Sequence, residues 1–207
     1  MQVIFLLEEE SAEDALRQLI PRLLPAHYVP RFRSLGGWQG LVDNLPTLLR
    51  AYGKRMTEPG QQDLRIVVLL DADGVAERRF KLLEDAAKSA GLLTLGQAKE
   101  GQLFHVFNAL AVQELEAWFL GDRQAITDAY PKVKTHHFKG IDREPESSPK
   151  PNDVLWGVLK AAGLYTTGKR KREWAETIAA KMDPGRNQSA SFQYFRAGLG
   201  LLEAPAL

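Results

Sequence analysis

Two uninterrupted apolar runs constrain this chain more than any other feature. Val3-Ile4-Phe5-Leu6-Leu7 runs into Glu8-Glu9-Glu10, and Ile66-Val67-Val68-Leu69-Leu70 runs into Asp71-Ala72-Asp73-Gly74. Continuous Val, Ile and Leu runs of this length read as strands buried on both faces, which is the situation of a parallel sheet covered by helices. The carboxyl ends of such strands open onto the crevice where α/β sheets bind ligands. Carboxylates at two of these ends would crowd one sheet edge, and like charges held that close repel unless a cation or a shared proton offsets them. Hard oxygen ligands favour Mg2+ or Mn2+, which makes Glu8, Asp71 and Asp73 candidate metal ligands.

Composition sets the limits around that site. A chain of 207 residues with 44% hydrophobic content can bury a real core as one domain, or as one domain with a helical extension. There is no cysteine, which excludes a disulfide framework, a thiolate nucleophile and thiolate-held zinc. Met1 leads directly into a strand-like run without a basic leader, and no apolar stretch approaches the ~18 residues that span a bilayer. The expectation is a soluble, cytoplasmic protein with no membrane partner. A net charge of +1 gives no global attraction to polyanions, so nucleic-acid binding would need a local basic patch.

Strand-like and helical segments alternate along the chain. Ser11 reads as a helix N-cap with Asp14 at the third position, and Ala12, Ala15, Leu16, Leu19, Ile20, Leu23 and Leu24 share one helical face. Residues 28–35 alternate as a strand, and Gly36-Gly37-Trp38-Gln39-Gly40 reads as a turn without the spacing of a dinucleotide loop. Residues 41–52 carry a helical pattern that Pro46 could begin. A helix over 76–90 stopped by Gly91, a strand within 103–112 and a helix over 113–120 follow. Residues 135–153, rich in Pro, Ser, Lys and Asp, read as a long loop or linker, and 155–162, 171–182 and 192–202 as short helices.

Further residues carry chemistry. Asp71 and Asp73 stand two apart, so an extended chain projects both to one side. Glu8, Glu9 and Glu10 could alternatively complement the dipole of the helix they precede. In Gln113-Glu114-Leu115-Glu116-Ala117-Trp118-Phe119-Leu120-Gly121-Asp122, Glu114 follows a strand at the same edge and is a candidate fourth catalytic residue, while Glu116 falls on another helix face. His136-His137 has no partner at ligand spacing and reads as surface. Near the C-terminus, Lys171, Arg186, Asn187, Ser189 and Arg196 lie among aromatics and are candidate phosphate contacts for DNA or RNA. Without a ligand, the same stretch reads as a helix end and an N-cap, with Phe192 and Phe195 in the core.

The elements Leu7-Glu8-Glu9-Glu10-Ser11-Ala12-Glu13, Val67-Val68-Leu69-Leu70-Asp71-Ala72-Asp73, Glu114-Leu115-Glu116-Ala117-Trp118 and residues 183–196 together resemble the bacterial domain-of-unknown-function family DUF4276, with a Toprim-like core related to that of the overcoming-lysogenization-defect nucleases. The resemblance covers nearly the whole chain. It implies a Toprim-like α/β fold, a mainly parallel sheet flanked by helices, with Mg2+ or Mn2+ held by a strand-end Glu and an Asp-x-Asp pair. On that pattern Glu8 is the strand-end residue and Asp71 and Asp73 are the pair, although Glu9 stands where the family pattern has glycine and leaves Glu8 and Glu9 as alternatives. The resemblance also implies an ATPase partner in phage-defence or mobile-element systems. The resulting division is an α/β domain over 1–134, a linker over 135–153 and a helical C-terminal extension over 154–207, packed on the core.

The expected activity is Mg2+-dependent phosphodiester hydrolysis of DNA or RNA, with Glu8, Asp71, Asp73 and Glu114 as catalytic residues. Two alternatives stand beside it. One is a non-catalytic Toprim-like subunit of an ATPase complex. The other is a haloacid-dehalogenase-like phosphatase, because Val68-Leu69-Leu70-Asp71-Ala72-Asp73-Gly74-Val75 looks like that family's nucleophile motif. Against the phosphatase, that motif normally opens its fold, whereas a strand-helix unit precedes it here.

Overall fold

The computed structural model describes residues 1–60 and 63–203, so the last four residues of the expected C-terminal extension lie outside the described residues. The chain runs β1 (Gln2–Leu7), α1 (Glu10–Leu23), β2 (Val29–Ser34), α2 (Gly37–Met56), β3 (Leu64–Asp71), α3 (Ala76–Ser89), β4 (Val106–Ala111), α4 (Glu116–Leu120), α5 (Arg123–Ala129), α6 (Pro151–Ala161), α7 (Lys171–Ala179) and α8 (Ala190–Leu199). The strands form one sheet in the order β2-β1-β3-β4, and every pairing in it is parallel. This is the expected α/β class with a parallel sheet flanked by helices. Among the described residues no helix is long and apolar enough to cross a membrane.

The two apolar runs are the two central strands. Alternation along them sorts the side chains between two helical layers. Ile4, Leu6, Ile66, Val68 and Leu70 pack with Leu41, Leu45 and Leu49 of α2 and Leu83 and Ala87 of α3. Val3, Phe5, Leu7, Val67 and Leu69 pack with α1 and with Trp118, Trp174, Phe192 and Phe195 from α4, α7 and α8. Both faces are therefore covered, which is why neither run shows a polar alternation. The C-terminal helices supply part of one layer and share its core with the sheet. Strand β2, paired with β1 alone, alternates between exposed and half-buried residues, in keeping with its place at the sheet edge.

Several local expectations need correction. Ser11 is not the cap of α1. Backbone bonds from Glu8 N to Leu69 O and from Gly37 N to Glu8 O keep the chain tied to the sheet through Glu8, so Glu9, in an extended conformation, takes the cap position. The glycine-rich segment 36–40 is not a free turn. Gly36 is left-handed at φ 78° and precedes a helix that starts at Gly37; at Gly40, a Cβ would fall 1.8 Å from the Leu35 carbonyl oxygen. Pro46 lies inside α2, where burial of Leu41, Leu45 and Leu49 outweighs the lost backbone bond. The expected helix over 113–120 is shorter. Gln113 adopts φ 62°, which breaks the helical path, and α4 begins at Glu116. A separate helix, α5, begins after Asp122, whose side chain accepts from Ala125 N at 3.2 Å.

Candidate functional site

The carboxyl ends of β1 and β3 lie side by side, and the acidic residues that follow them meet there. The Asp71 backbone N–H donates to Glu8 Oε2 at 3.1 Å, and the Asp71 side chain accepts at Oδ1 from Leu115 N at 2.9 Å. Glu8 and Asp71 line the same narrow cleft. Glu8 is 8% exposed. Glu9, the alternative strand-end ligand, lines the same cleft, but its carboxylate accepts from Ser11 Oγ at 3.4 Å and lies 3.7 Å from Lys171 Nζ. Of the two, Glu8 is the one hydrogen-bonded to the Asp71 backbone.

Asp73 reaches the same edge by a strained route. Its φ of 44° is unusual for a residue with a side chain, and a bond from its N–H to Gln113 O holds the turn. The half-exposed Asp73 carboxylate pairs with Arg79 Nη2 at 2.7 Å. Arg79 also stands 3.7 Å from Glu8 Oε2, donates to the Asp71 carbonyl oxygen and lies over the Trp38 ring at 4.2 Å from its centroid. One buried guanidinium thus gathers Glu8, Asp73 and the end of β3.

Alternation along β3 sends the Asp71 side chain toward the layer that holds α1, α4 and α7. There it meets residues that sequence reasoning valued too little. Glu116 is 3% exposed, and Lys171 Nζ lies 3.8 Å from its Oε1. Burial pushes the Asp71 carboxyl well above its ordinary range, and the charges of Glu116 and Glu8 add to that push. Burial likewise raises Glu8, while the Asp71 N–H and Arg79 oppose the rise. Glu116 is raised by burial and pulled back by Lys171. Burial works against a charged Lys171, yet Glu116, Glu9, Asp71 and Glu114 outweigh it and hold the ammonium above its ordinary value. The whole edge is short of positive charge.

Glu114 is placed differently. Both of its oxygens are taken by Asn152 in the first turn of α6, the backbone N–H at 2.8 Å and the side-chain amide as well. Its position ties the 113–115 turn to α6. The C-terminal candidates divide as well. Lys171 faces the acidic edge. Arg186 forms a two-point pair with Asp122, Nε to Oδ1 at 2.8 Å and Nη2 to Oδ2 at 2.9 Å. Asn187 and Ser189, expected as phosphate contacts, are buried within the fold. Asn187 Nδ2 donates to Trp118 O at 2.7 Å, and Ser189 caps α8 by accepting from Phe192 N at 3.1 Å. Arg196 donates to Pro184 O at 3.1 Å on the outside of α8. The structure therefore does not gather these five residues into one phosphate-binding surface.

Arg79 and Glu116 both leave a trace in the sequence. Arg79 lies on the stripe Arg79, Leu83 and Ala87 that α3 buries, and a cation on an apolar stripe calls for a partner. Glu116 opens Glu116-Ala117-Trp118-Phe119-Leu120, in which every residue is buried. A helix apolar all round has no solvent face for its acid.

The acidic edge offers oxygen donors of the kind that hard divalent cations take. Among the described residues, however, no three histidine, cysteine, aspartate or glutamate side chains stand in a ready metal-binding arrangement. Asp73 is drawn onto Arg79, and Glu116 faces Lys171. Beside the edge a groove of about 490 Å3, bordered by Glu9, Ser34, Gly37, Lys171 and Arg172, opens to solvent.

No curated protein matches the chain. One solved structure, the C-terminal region of the Xanthomonas campestris pv. campestris OLD protein, is similar at 16% identity over 96% of each chain, with a TM-score of 0.39. The model of a family described as a domain of unknown function, DUF4276, matches residues 7–200, nearly the full length, and the chain belongs to that family.

Proposed function

We propose that the chain is a Toprim-like, Mg2+- or Mn2+-dependent phosphodiesterase that cuts DNA or RNA in the cytoplasm, as the effector partner of an ATPase in a phage-defence or mobile-element system. The observation that carries the chemistry is the meeting of Glu8 and Asp71 at the carboxyl edge of a parallel sheet, with Asp73 and Glu116 beside them. Buried carboxylates whose charged forms are disfavoured gain most from a cation, and an all-oxygen donor set suits these ions. The ATPase pairing and the biological setting rest on the sequence resemblance.

Glu8 and Asp71 would hold the ion through the oxygens that their backbone bonds leave free, and Asp73 would join on leaving Arg79. The bound ion supplies Lewis acidity toward a phosphodiester. Arg79 retains Glu8 and the Asp71 carbonyl as partners once Asp73 departs. Lys171, kept protonated by the surrounding carboxylates, borders the groove and would meet a substrate phosphate there.

One observation favours a second reading, that of a binding module without turnover. Arg79 and Lys171 already offset part of the acidic charge without an ion. A cleavage assay with single- and double-stranded DNA and RNA in Mn2+, run for the parent and for Asp71→Asn, separates the two. The nuclease reading expects cleavage by the parent and its loss in the variant. Binding by the parent in Ca2+ with no cleavage in Mn2+, alone or with its ATPase, supports the binding module.

A further inference from the structure

Away from the acidic edge, a second cavity of about 320 Å3 opens where the start of α5, the 135–143 segment and the 186–188 turn meet. Arg123, Arg143 and Arg186 line it, with Gln124, Thr135 and Gln188, and the one carboxylate on its wall is Asp122. The Asp122 side chain is fully buried and its oxygens are already in use. They accept from Arg186, from Ala125 N at 3.2 Å and from Asp183 N at 2.8 Å. On the cavity wall, Asp122 offsets the charge of Arg186.

Arg123 is fixed by neutral partners. It donates to the carbonyl oxygens of Ile141, at 3.2 Å, and of Asp142, and it lies 5.4 Å from the centre of the Phe138 ring. Burial and the nearby Arg143 both disfavour its charge, with the Asp142 carboxylate acting the other way. Asp142 Oδ1 is itself engaged, accepting from Glu144 N at 3.0 Å. Arg143 forms no ion pair or hydrogen bond among the described residues. Asp183, 3.9 Å from Arg186 Nη1, lies toward solvent. The cavity wall thus sets three guanidinium groups against one carboxylate, with Asp142, Asp183 and Asp128 acting from its surroundings, and the backbone and a buried carboxylate already orient two of the three.

We propose that this cavity binds a phosphoryl group, with Arg123 and Arg186 preset and Arg143 closing on it. The planar guanidinium fork matches two phosphate oxygens, and groups oriented in advance lose little entropy on binding. The volume lies at the low end of ligand pockets, ~300–1,000 Å3, which suits a phosphate with one attached sugar and excludes a duplex. The group could arrive on a free mononucleotide or on the phosphorylated end of a strand.

The test is calorimetric titration of the full chain in EDTA with inorganic phosphate, a nucleoside 5′-monophosphate, and a short single strand with and without a 5′-phosphate. Saturable phosphate binding that Arg143→Ala weakens roughly tenfold or more, at an unchanged melting temperature, is the expected result. Arg143→Lys should retain part of the affinity. Preference for the 5′-phosphorylated strand over the mononucleotide assigns the group to a strand end, and the reverse assigns it to a free nucleotide. No saturable binding of phosphate at millimolar concentration, or equal binding by parent and Arg143→Ala, overturns the proposal. Because EDTA removes divalent cations, failure here leaves the reading of the acidic edge standing, and a failed metal titration leaves this cavity untouched.

Discussion

Asp71 is kept in place at an electrostatic cost. Burial, Glu116 and Glu8 all disfavour its charged form, and the Leu115 N–H bond does not cancel them. Because Asp71 and Glu8 are raised in the folded chain, it binds more protons than the unfolded chain between the ordinary carboxylate range and the raised values. Their contribution to stability is therefore greatest below that range and declines as pH rises through the raised values. Asp71→Asn removes the charge and keeps an acceptor for Leu115. In EDTA at pH 7 the variant should be about 1 kcal/mol more stable than the parent, a rise in Tm of roughly 2–4 °C for a chain of this size. The difference should shrink toward pH 4, and thermal melts at the two pH values check it; a variant that melts below the parent at pH 7 would contradict it. Asp122 has the opposite character. Its buried carboxylate serves Arg186, the N-terminus of α5 and Asp183 N, so Asp122→Ala should cost about 3 kcal/mol by urea denaturation. A loss under about 1 kcal/mol would show that the 183–187 turn does not depend on it.

The strands were the most legible elements. β1 and β3 could be read from composition alone, because a strand between two helical layers needs no polar side, and edge strand β2 from its alternation. α4 and α5 were read poorly because their boundaries are set by tertiary contacts. Gln113 adopts φ 62° where the turn meets Asp73, and Asp122 caps α5 while paired with a residue 64 positions away. The candidate site was legible to the same extent. Glu8, Asp71 and Asp73 follow strands visible in the sequence, whereas Glu116 and Lys171 reach the edge only through the packing of α4 and α7. The seating of α8 depends on Gly198, where a Cβ would fall 2.1 Å from the Phe107 ring. Gly198→Ala should therefore cost about 1–3 kcal/mol through overpacking, minus a few tenths regained in helix propensity. Thermal denaturation measures it, and a neutral result would mean that α8 and β4 can shift apart.

At the scale of the molecule, one hydrophobic layer joins the sheet to helices from both halves of the chain. Phe5, Leu7, Val67, Leu69 and Phe107 meet Trp174, Ile178, Phe192 and Phe195 in a single cluster. Ion pairs of Arg172 with Glu10 and Asp14, both at 2.6 Å, add orientation between α7 and α1 but little energy, because they face solvent. A fragment ending at residue 153 would expose that sheet face and lose Lys171. It should fail to unfold cooperatively, which circular dichroism and denaturant titration would show; a sharp transition would mark the first 153 residues as an independent domain. Anomalous scattering from crystals soaked in Mn2+ tests whether the acidic edge is a divalent-cation site. A peak bonded to carboxylate oxygens of Glu8 and Asp71 is expected, with Asp73 turned away from Arg79, and no peak there in Asp71→Asn. An edge without a peak in the parent at saturating Mn2+, with Asp73 still on Arg79, would contradict it.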